Sequence, residues 1–397
     1  MRDDENEEGA PLLLRRARLV LPERVTGEAS LIIEDGRIQY LLEGGQAVSL
    51  RPMRTLDLDG LMLYPGFIDV HIHGSVGVDT MEADADDLHR VARFLAEKGV
   101  TGWLPTLVPA PVEDYRRAAA AIGKLMLEQD ERPAAAHALG LHYEGPFINS
   151  AQCGALRPAY FRTFKERTEL DELSIVENAA LMTTVAPEIE GGIELVEELR
   201  ERGWIISIGH TRAEVEVLDR ACAAGAHHMT HFMNAMSPLH HRAPGPIGWG
   251  LLNDLVGCDV IADGVHVDPL MLKLILRLKT PERVTLISDA VAPAGLGAGE
   301  YEIWGETITV SEGRTSNARG SIAGSVSTML DAVRLMLSLG VPPWDVARMA
   351  AGNPARLLSV DADCGSIEEG KRADLTALDA EGNVRLTIVG GRIAFSV

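Results

Sequence analysis

Eight short apolar segments recur along the middle of the chain, at residues 67–73, 101–108, 137–144, 180–187, 204–210, 227–232, 259–264 and 284–289. Most are separated by stretches with helical periodicity. In residues 84–98, Asp84 stands where a cap is needed, Leu88, Val91 and Leu95 share one face, and Gly99 follows as a stop. Residues 193–202, 214–224 and 269–278 repeat the pattern. Eight strands alternating with helices predict an α/β fold, a (β/α)8 barrel of TIM type. The 397 residues suffice for such a barrel and a smaller unit beside it.

The ends of the chain read as β-structure. In residues 31–38 an Asp-Gly turn divides two apolar runs, a hairpin signal. Residues 373–379 and 384–389 are strand-like, and Gly390-Gly391 makes a turn before 392–395. We therefore expect a small β-sandwich domain built from both termini, residues 1–65 and 356–397, around a barrel at 66–355. Residues 300–318 break the rhythm as a hairpin-like insertion after the eighth strand.

Composition removes several classes of function. With 37 Lys and Arg against 58 Asp and Glu, the net charge is −21, which argues against a broad nucleic-acid surface but leaves room for a local anion site. No apolar run approaches the roughly 18 residues of a membrane span. The acidic first nine residues are not a secretory signal and are expected to be disordered. The four cysteines lie far apart without a CxxC pair, so neither a disulfide framework nor a zinc ribbon is indicated, and a reduced, cytoplasmic setting is expected.

Chemistry concentrates where the apolar segments end. His71 and His73 are two residues apart on the first and would face the same way. Glu144 ends the third segment, His210 the fifth and Asp289 the eighth, and His231 falls at the end of the sixth. Barrel enzymes place their chemistry at these carboxyl ends. One carboxylate with two imidazoles suits a divalent metal, zinc first and iron as the alternative, with a coordination position left for water. Asp289 is then a candidate general base, or another ligand. Asn234 could hydrogen-bond a sugar or phosphate, Arg242 offers a fork suited to phosphate, and His266 could touch substrate. His142, His227 and His228 read as core or supporting residues.

The stretches PGFIDVHIHG (65–74), LHYEGPF (141–147), GHT (209–211), THFMNAM (230–236), ADGVH (262–266) and SDA (288–290) together resemble the N-acetylglucosamine-6-phosphate deacetylase family of the amidohydrolase superfamily. The likeness continues through GSIAGS (320–325), NPARL (353–357) and GSIEEGKRAD (365–374). It implies that Glu144, His210 and His231 hold the main metal, that His71 and His73 admit a second, and that Asp289 is the catalytic acid and base. It further implies that Ala155, Asn234, Ala235 and His266 meet a phosphorylated amino sugar, with main-chain groups of Ile322, Ala323 and Gly324 lining the pocket. Arg242 would reach the phosphate in a neighbouring subunit, which implies a homodimer. One departure stands out: the family often has Lys-Gly-Ala-His where this chain has CGAL at 153–156, so Leu156 replaces a histidine. Either Arg157 compensates or the accepted sugar differs, N-acetylgalactosamine 6-phosphate being one alternative. A relative acting on a cyclic amide or dipeptide would carry a metal-bridging lysine at a strand end, and none of the segments ends in one. A scaffold that had lost the chemistry would lack ligands that are all present here.

Overall fold

A computed structural model describes residues 10–44 and 53–397; the first nine residues, expected to be disordered, lie outside the described residues. The middle of the chain closes a parallel barrel. Its strands are Phe67–Ile72, Val100–Leu107, Gly140–Glu144, Ala180–Val185, Ile205–Ile208, His228–Met229, Cys258–Ile261 and Val284–Ile287. Successive strands pair in parallel, with Ile68 opposite Gly102, His142 opposite Thr106, Glu144 opposite Thr184, Val185 opposite Ile208, Ile208 opposite Met229 and Ile261 opposite Ile287. The two remaining seams are closed by a few backbone hydrogen bonds rather than by a continuous ladder. The Phe232 N–H donates to the Asp259 carbonyl at 2.8 Å, and the His73 N–H to the Ala290 carbonyl at 2.8 Å.

The crossovers follow the periodicity. Helix Ala85–Glu97 starts where the Asp84 carboxylate accepts the Asp86 and Asp87 N–H groups, and it buries Leu88, Val91 and Leu95. Gly192–Glu201, Val215–Ala224 and Pro269–Lys279 occupy the other predicted positions, and Val112–Glu128, Gly245–Leu252 and Met329–Ser338 are further helices. Between the third and fourth strands the described residues form only short 3₁₀ turns, so this long connection is free to fold over the barrel mouth. The expected insertion is a three-stranded antiparallel sheet, Gly299–Ile303, Glu306–Ser311 and Arg314–Ser316.

Both ends of the chain enter one eight-stranded sheet, in which Leu375–Leu378 pairs with Met62–Pro65. It is a continuous sheet wrapped round a shared core of Leu14, Leu31, Leu63, Leu375 and Ile388. Among the described residues, no helix is long and apolar enough to cross a membrane.

An ion pair between the buried Asp374 and the half-buried Arg372 joins this sheet to the barrel. Arg372 Nε lies 2.7 Å from Asp374 Oδ2, and Arg372 Nη2 lies 3.0 Å from His137 Nδ1, just ahead of the third barrel strand. The Asp374 carboxylate accepts the Gly390 N–H at 2.7 Å, while its carbonyl accepts the Gly66 N–H at the entrance to the first barrel strand. Removing one member of a fully buried pair costs about 3–5 kcal/mol, and the partial exposure of Arg372 puts this pair toward the low end, about 3 kcal/mol. Asp374→Ala should lower the unfolding free energy in urea by that order, and the double replacement Arg372→Met with Asp374→Leu should recover much of it. Equal stability of the wild type and Asp374→Ala would show that the pair does not anchor the sheet.

Candidate metal centre and substrate cavity

His71, His73, Glu144, His210, His231 and Asp289 are all buried and meet inside the mouth of the barrel. Glu144 Oε1 lies 2.8 Å from His210 Nε2 and 2.9 Å from His231 Nε2, and those two nitrogens are 3.1 Å apart. Glu144 Oε2 lies 3.2 Å from His73 Nε2, which is itself 3.2 Å from His71 Nε2. Among the described residues two groups have the donors and spacing to hold a metal ion: Glu144 with His210 and His231, and Glu144 with His71 and His73. Asp289 Oδ1 stands 3.4 Å from His71 Nε2 and 3.3 Å from His73 Nε2.

The backbone bends sharply to present these groups. His210, His231 and Asp289 have φ of 47°, 28° and 50°, left-handed values that cost of order 1–3 kcal/mol each for residues other than glycine. Surrounding bonds hold them there. The His231 N–H donates to the buried Asp259 carboxylate, the Asp289 N–H donates to the His71 carbonyl at 2.9 Å, and the His210 carbonyl accepts the Asn149 N–H at 3.1 Å. The loop after the third strand approaches closely: a Cβ added at Gly154, where φ is +57°, would meet the His210 ring at 3.6 Å.

A cation fits this donor set. His210 Nδ1 lies 2.7 Å from the Gln152 carbonyl, which fixes the proton on Nδ1 and leaves Nε2 a bare lone pair. That lone pair faces the Glu144 carboxylate oxygen, an arrangement that only a proton or a metal ion between them makes favourable. Protonation tendencies agree. Burial disfavours the His73 imidazolium, yet Asp289 and Glu144 outweigh it and raise its pKa to about 10. His231, buried beside Glu144, is raised to about 9 in the same way. Burial opposes ionisation of Glu144 and Asp289, but the imidazoles win and both carboxyls are held below their ordinary values.

A cavity of about 270 Å³ opens above the cluster. Ala155, Asn234, Ala235, His266, Ile322 and Gly324 line it, as does Leu156. Among the described residues, the buried Asn234 Nδ2 finds no hydrogen-bond partner, which leaves it a donor for a ligand. His266 is oriented by Asp263, whose Oδ2 lies 2.7 Å from His266 Nδ1 and whose Oδ1 accepts the His266 N–H at 2.8 Å. Three expected site residues stand elsewhere. Arg242 is exposed and outside the cavity, with Nη1 2.8 Å from His241 Nε2. Ala323 packs into the core of the inserted sheet, and its N–H donates to the Thr315 hydroxyl. Arg157 lies over the Tyr160 ring, 4.8 Å from its centroid, and not against the ligand space. The sequence reading passed over two supports, the buried Asp259 and the Gln152 carbonyl, and the lining residues Ile261, Trp304 and Ser321.

A closed α/β barrel with a histidine and carboxylate cluster at its carboxyl mouth defines a metal-dependent hydrolase of the amidohydrolase type. The comparisons agree. The model of the amidohydrolase family matches residues 62–394. An N-acetylgalactosamine-6-phosphate deacetylase of Escherichia coli O157:H7 is 35% identical over 96% of this chain and 99% of its own. An N-acetylglucosamine-6-phosphate deacetylase of Bacillus subtilis (strain 168) is 34% identical over 97% of each chain. The crystal structure of N-acetylglucosamine-6-phosphate deacetylase from Pasteurella multocida superimposes with a TM-score of 0.89 at 29% identity, covering 96% of this chain and 99% of that one. The chain belongs to the amidohydrolase family.

With pKa values of about 10 and 9, His73 and His231 carry protons near neutral pH when no metal competes, whereas ligation requires their lone pairs bare. Metal uptake by the apo protein should therefore release protons into solution. Calorimetry in two buffers of different ionisation enthalpy should give different apparent heats of uptake; identical heats would contradict this protonation state.

Proposed function

We propose that the chain is a metal-dependent deacetylase that hydrolyses the N-acetyl amide of N-acetyl-D-glucosamine 6-phosphate to glucosamine 6-phosphate and acetate. The observation that carries this reading is the meeting of Glu144, His210, His231 and Asp289 on the floor of a cavity whose wall presents Asn234 and His266. Glu144, His210 and His231 would hold a divalent ion, zinc before iron, and His71 and His73 with the same glutamate would hold a second. When bound, such an ion polarises an amide carbonyl and makes water more acidic. Asp289, kept ionised by the imidazoles beside it, accepts the proton of the attacking water and returns it to the departing amine. Asn234 Nδ2 and His266 Nε2 orient the sugar, alongside main-chain groups of Ala235, Ile322 and Gly324, while Ala155 meets another part of the substrate.

The phosphate is assigned to Arg242 of a neighbouring subunit in a homodimer. Its exposure outside its own chain's cavity supports that assignment. The same reading treats the terminal sheet, near residues 1–65 and 356–397, as a domain of its own, and places the protein in a reducing cytoplasm in keeping with its four unpaired cysteines. A second substrate, N-acetylgalactosamine 6-phosphate, is favoured by one observation: Leu156, an apolar side chain buried at 4% exposure, lines the cavity where the resembling family often carries histidine.

Acetate release from the two sugar phosphates and from unphosphorylated N-acetylglucosamine, before and after chelation, tests the reading. Turnover that needs phosphate and disappears with chelator is expected, and the preferred epimer decides between the two substrates. No turnover of any of the three by metal-loaded protein would refute it. Asp289→Asn should retain its metal while kcat falls by roughly 10²–10⁴-fold; a near-normal kcat would remove Asp289 from the proton-transfer role.

A further inference from the structure

The inserted sheet after the eighth strand carries a residue that its turn does not call for. Among the described residues, five two-residue turns have positive φ at both positions: Asp35-Gly36, Val76-Gly77, Trp304-Gly305, Glu312-Gly313 and Gly390-Gly391. Such turns favour Asn, Asp or Gly at the first position, because short side chains tolerate the left-handed backbone. Val76 at φ 47° and the much larger Trp304 at φ 52° are the bulky exceptions, and Trp304 is the one that faces the cavity. Its side chain accounts for the choice. The indole lines the cavity and meets the His73 ring edge to face, with centroids 5.2 Å apart and planes at 82°. With Ala155, it packs on the apolar core formed by Val291, Ile303, Ile308 and Ala323. The insertion and the loop after the third strand thus meet across the mouth, above the metal cluster.

Resting on the deacetylase reading, we infer that Trp304, with Ala155, forms the wall of the acyl subsite and limits the N-acyl group to a small one. An amide carbonyl carbon is trigonal and planar, so its carbon substituent points away from the sugar nitrogen. The sugar is held from the sixth- and seventh-strand side by Asn234 and His266. Opposite them in the eight-stranded ring lie the second and third strands, and this side is flanked by Trp304 over His73 and by Ala155 after Glu144. A ring fixed there leaves room for a methyl group and collides with a longer chain.

The test is kcat/KM of the metal-loaded enzyme on the 6-phosphates of N-acetyl-, N-propanoyl- and N-butanoylglucosamine, for the wild type, Trp304→Gly and Trp304→Phe. Glycine is at ease in this turn, so Trp304→Gly removes the wall and keeps the hairpin; melting temperature and metal per chain check that. One methylene in an apolar pocket is worth roughly 10–200-fold in discrimination. The wild type should lose activity with each added methylene, and Trp304→Gly should raise the butanoyl-to-acetyl ratio by ~10-fold or more, with Trp304→Phe between them. Binding of the same three compounds to Asp289→Asn and to the double variant with Trp304→Gly should show the same shift in relative Kd. A uniform loss across acyl lengths, or an unmoved ratio, would overturn the assignment while leaving the deacetylase reading intact. Failure of the wild type to release any acid from these compounds would overturn both.

Discussion

Glu144 sets the terms for the rest of the molecule. A carboxylate buried at 4% exposure is unfavourable unless positive charge or hydrogen-bond donors surround it. Here His71 and His73 of the first strand, His210 after the fifth and His231 after the sixth converge on it. Only closure of the barrel brings residues 73, 71, 66 and 87 positions distant in sequence to one carboxylate. The parallel register that places Glu144 opposite Thr184 and Val185 opposite Ile208 is therefore the same constraint that builds the cluster. Charge balance then does the rest, since two carboxylates facing imidazoles form a site that draws a cation, either protons on the imidazoles or a metal ion that displaces them.

The positive φ values at His210, His231 and Asp289 show what this convergence demands of the backbone. A strand run straight to its end would send alternate side chains to opposite faces, whereas these residues turn back over the barrel axis. The strain persists because long-range bonds over-determine it. The Asp259 carboxylate receives the His231 N–H from 28 residues away, and it also lies 3.3 Å from His228 Nε2. Beneath the cluster, the hydroxyls of Thr184, Thr230 and Ser207 form a chain ending on His142 Nε2, so the floor of the site is itself hydrogen-bonded. Packing and polar satisfaction together hold the ligand atoms within about 3 Å of one another.

Much of this was legible in the sequence because strand periodicity and strand ends are local signals. Two histidines at i and i+2, and a carboxylate or histidine closing successive apolar runs, needed no tertiary information. The helix starting after Asp84 was legible for the same reason, whereas Gly245–Leu252 was not: GPIGWGLL is apolar on every side and nearly all of it is buried, so it carries no amphipathic stripe. His231 was visible as a residue, but its direction was not. The sixth strand ends at Met229, and the next residues follow a turn with positive φ at His231, Met233 and Ala235. Arg242 could not be tied to any cavity by residue type or position in sequence alone; only the resemblance assigned it to a neighbouring subunit. Trp304 left a trace that was overlooked, a large aromatic where the chemistry of a two-residue turn favours Asp or Asn.

The molecule thus divides its labour. Strand ends supply the groups that must be fixed to a fraction of an ångström, and they sit where the barrel is most rigid. The two segments that close over them, the loop of Gly154–Leu156 and the hairpin tip at Trp304, come from the longest interruptions of the β/α rhythm. Neither contributes a metal donor, and both add apolar surface. A substitution in those segments can change which amide fits without disturbing the cluster beneath, because no bond of the Glu144 network passes through the Leu156 or Trp304 side chains. That separation lets a chain keep the Glu144 cluster intact and yet depart at Leu156 from the pattern of the family it resembles.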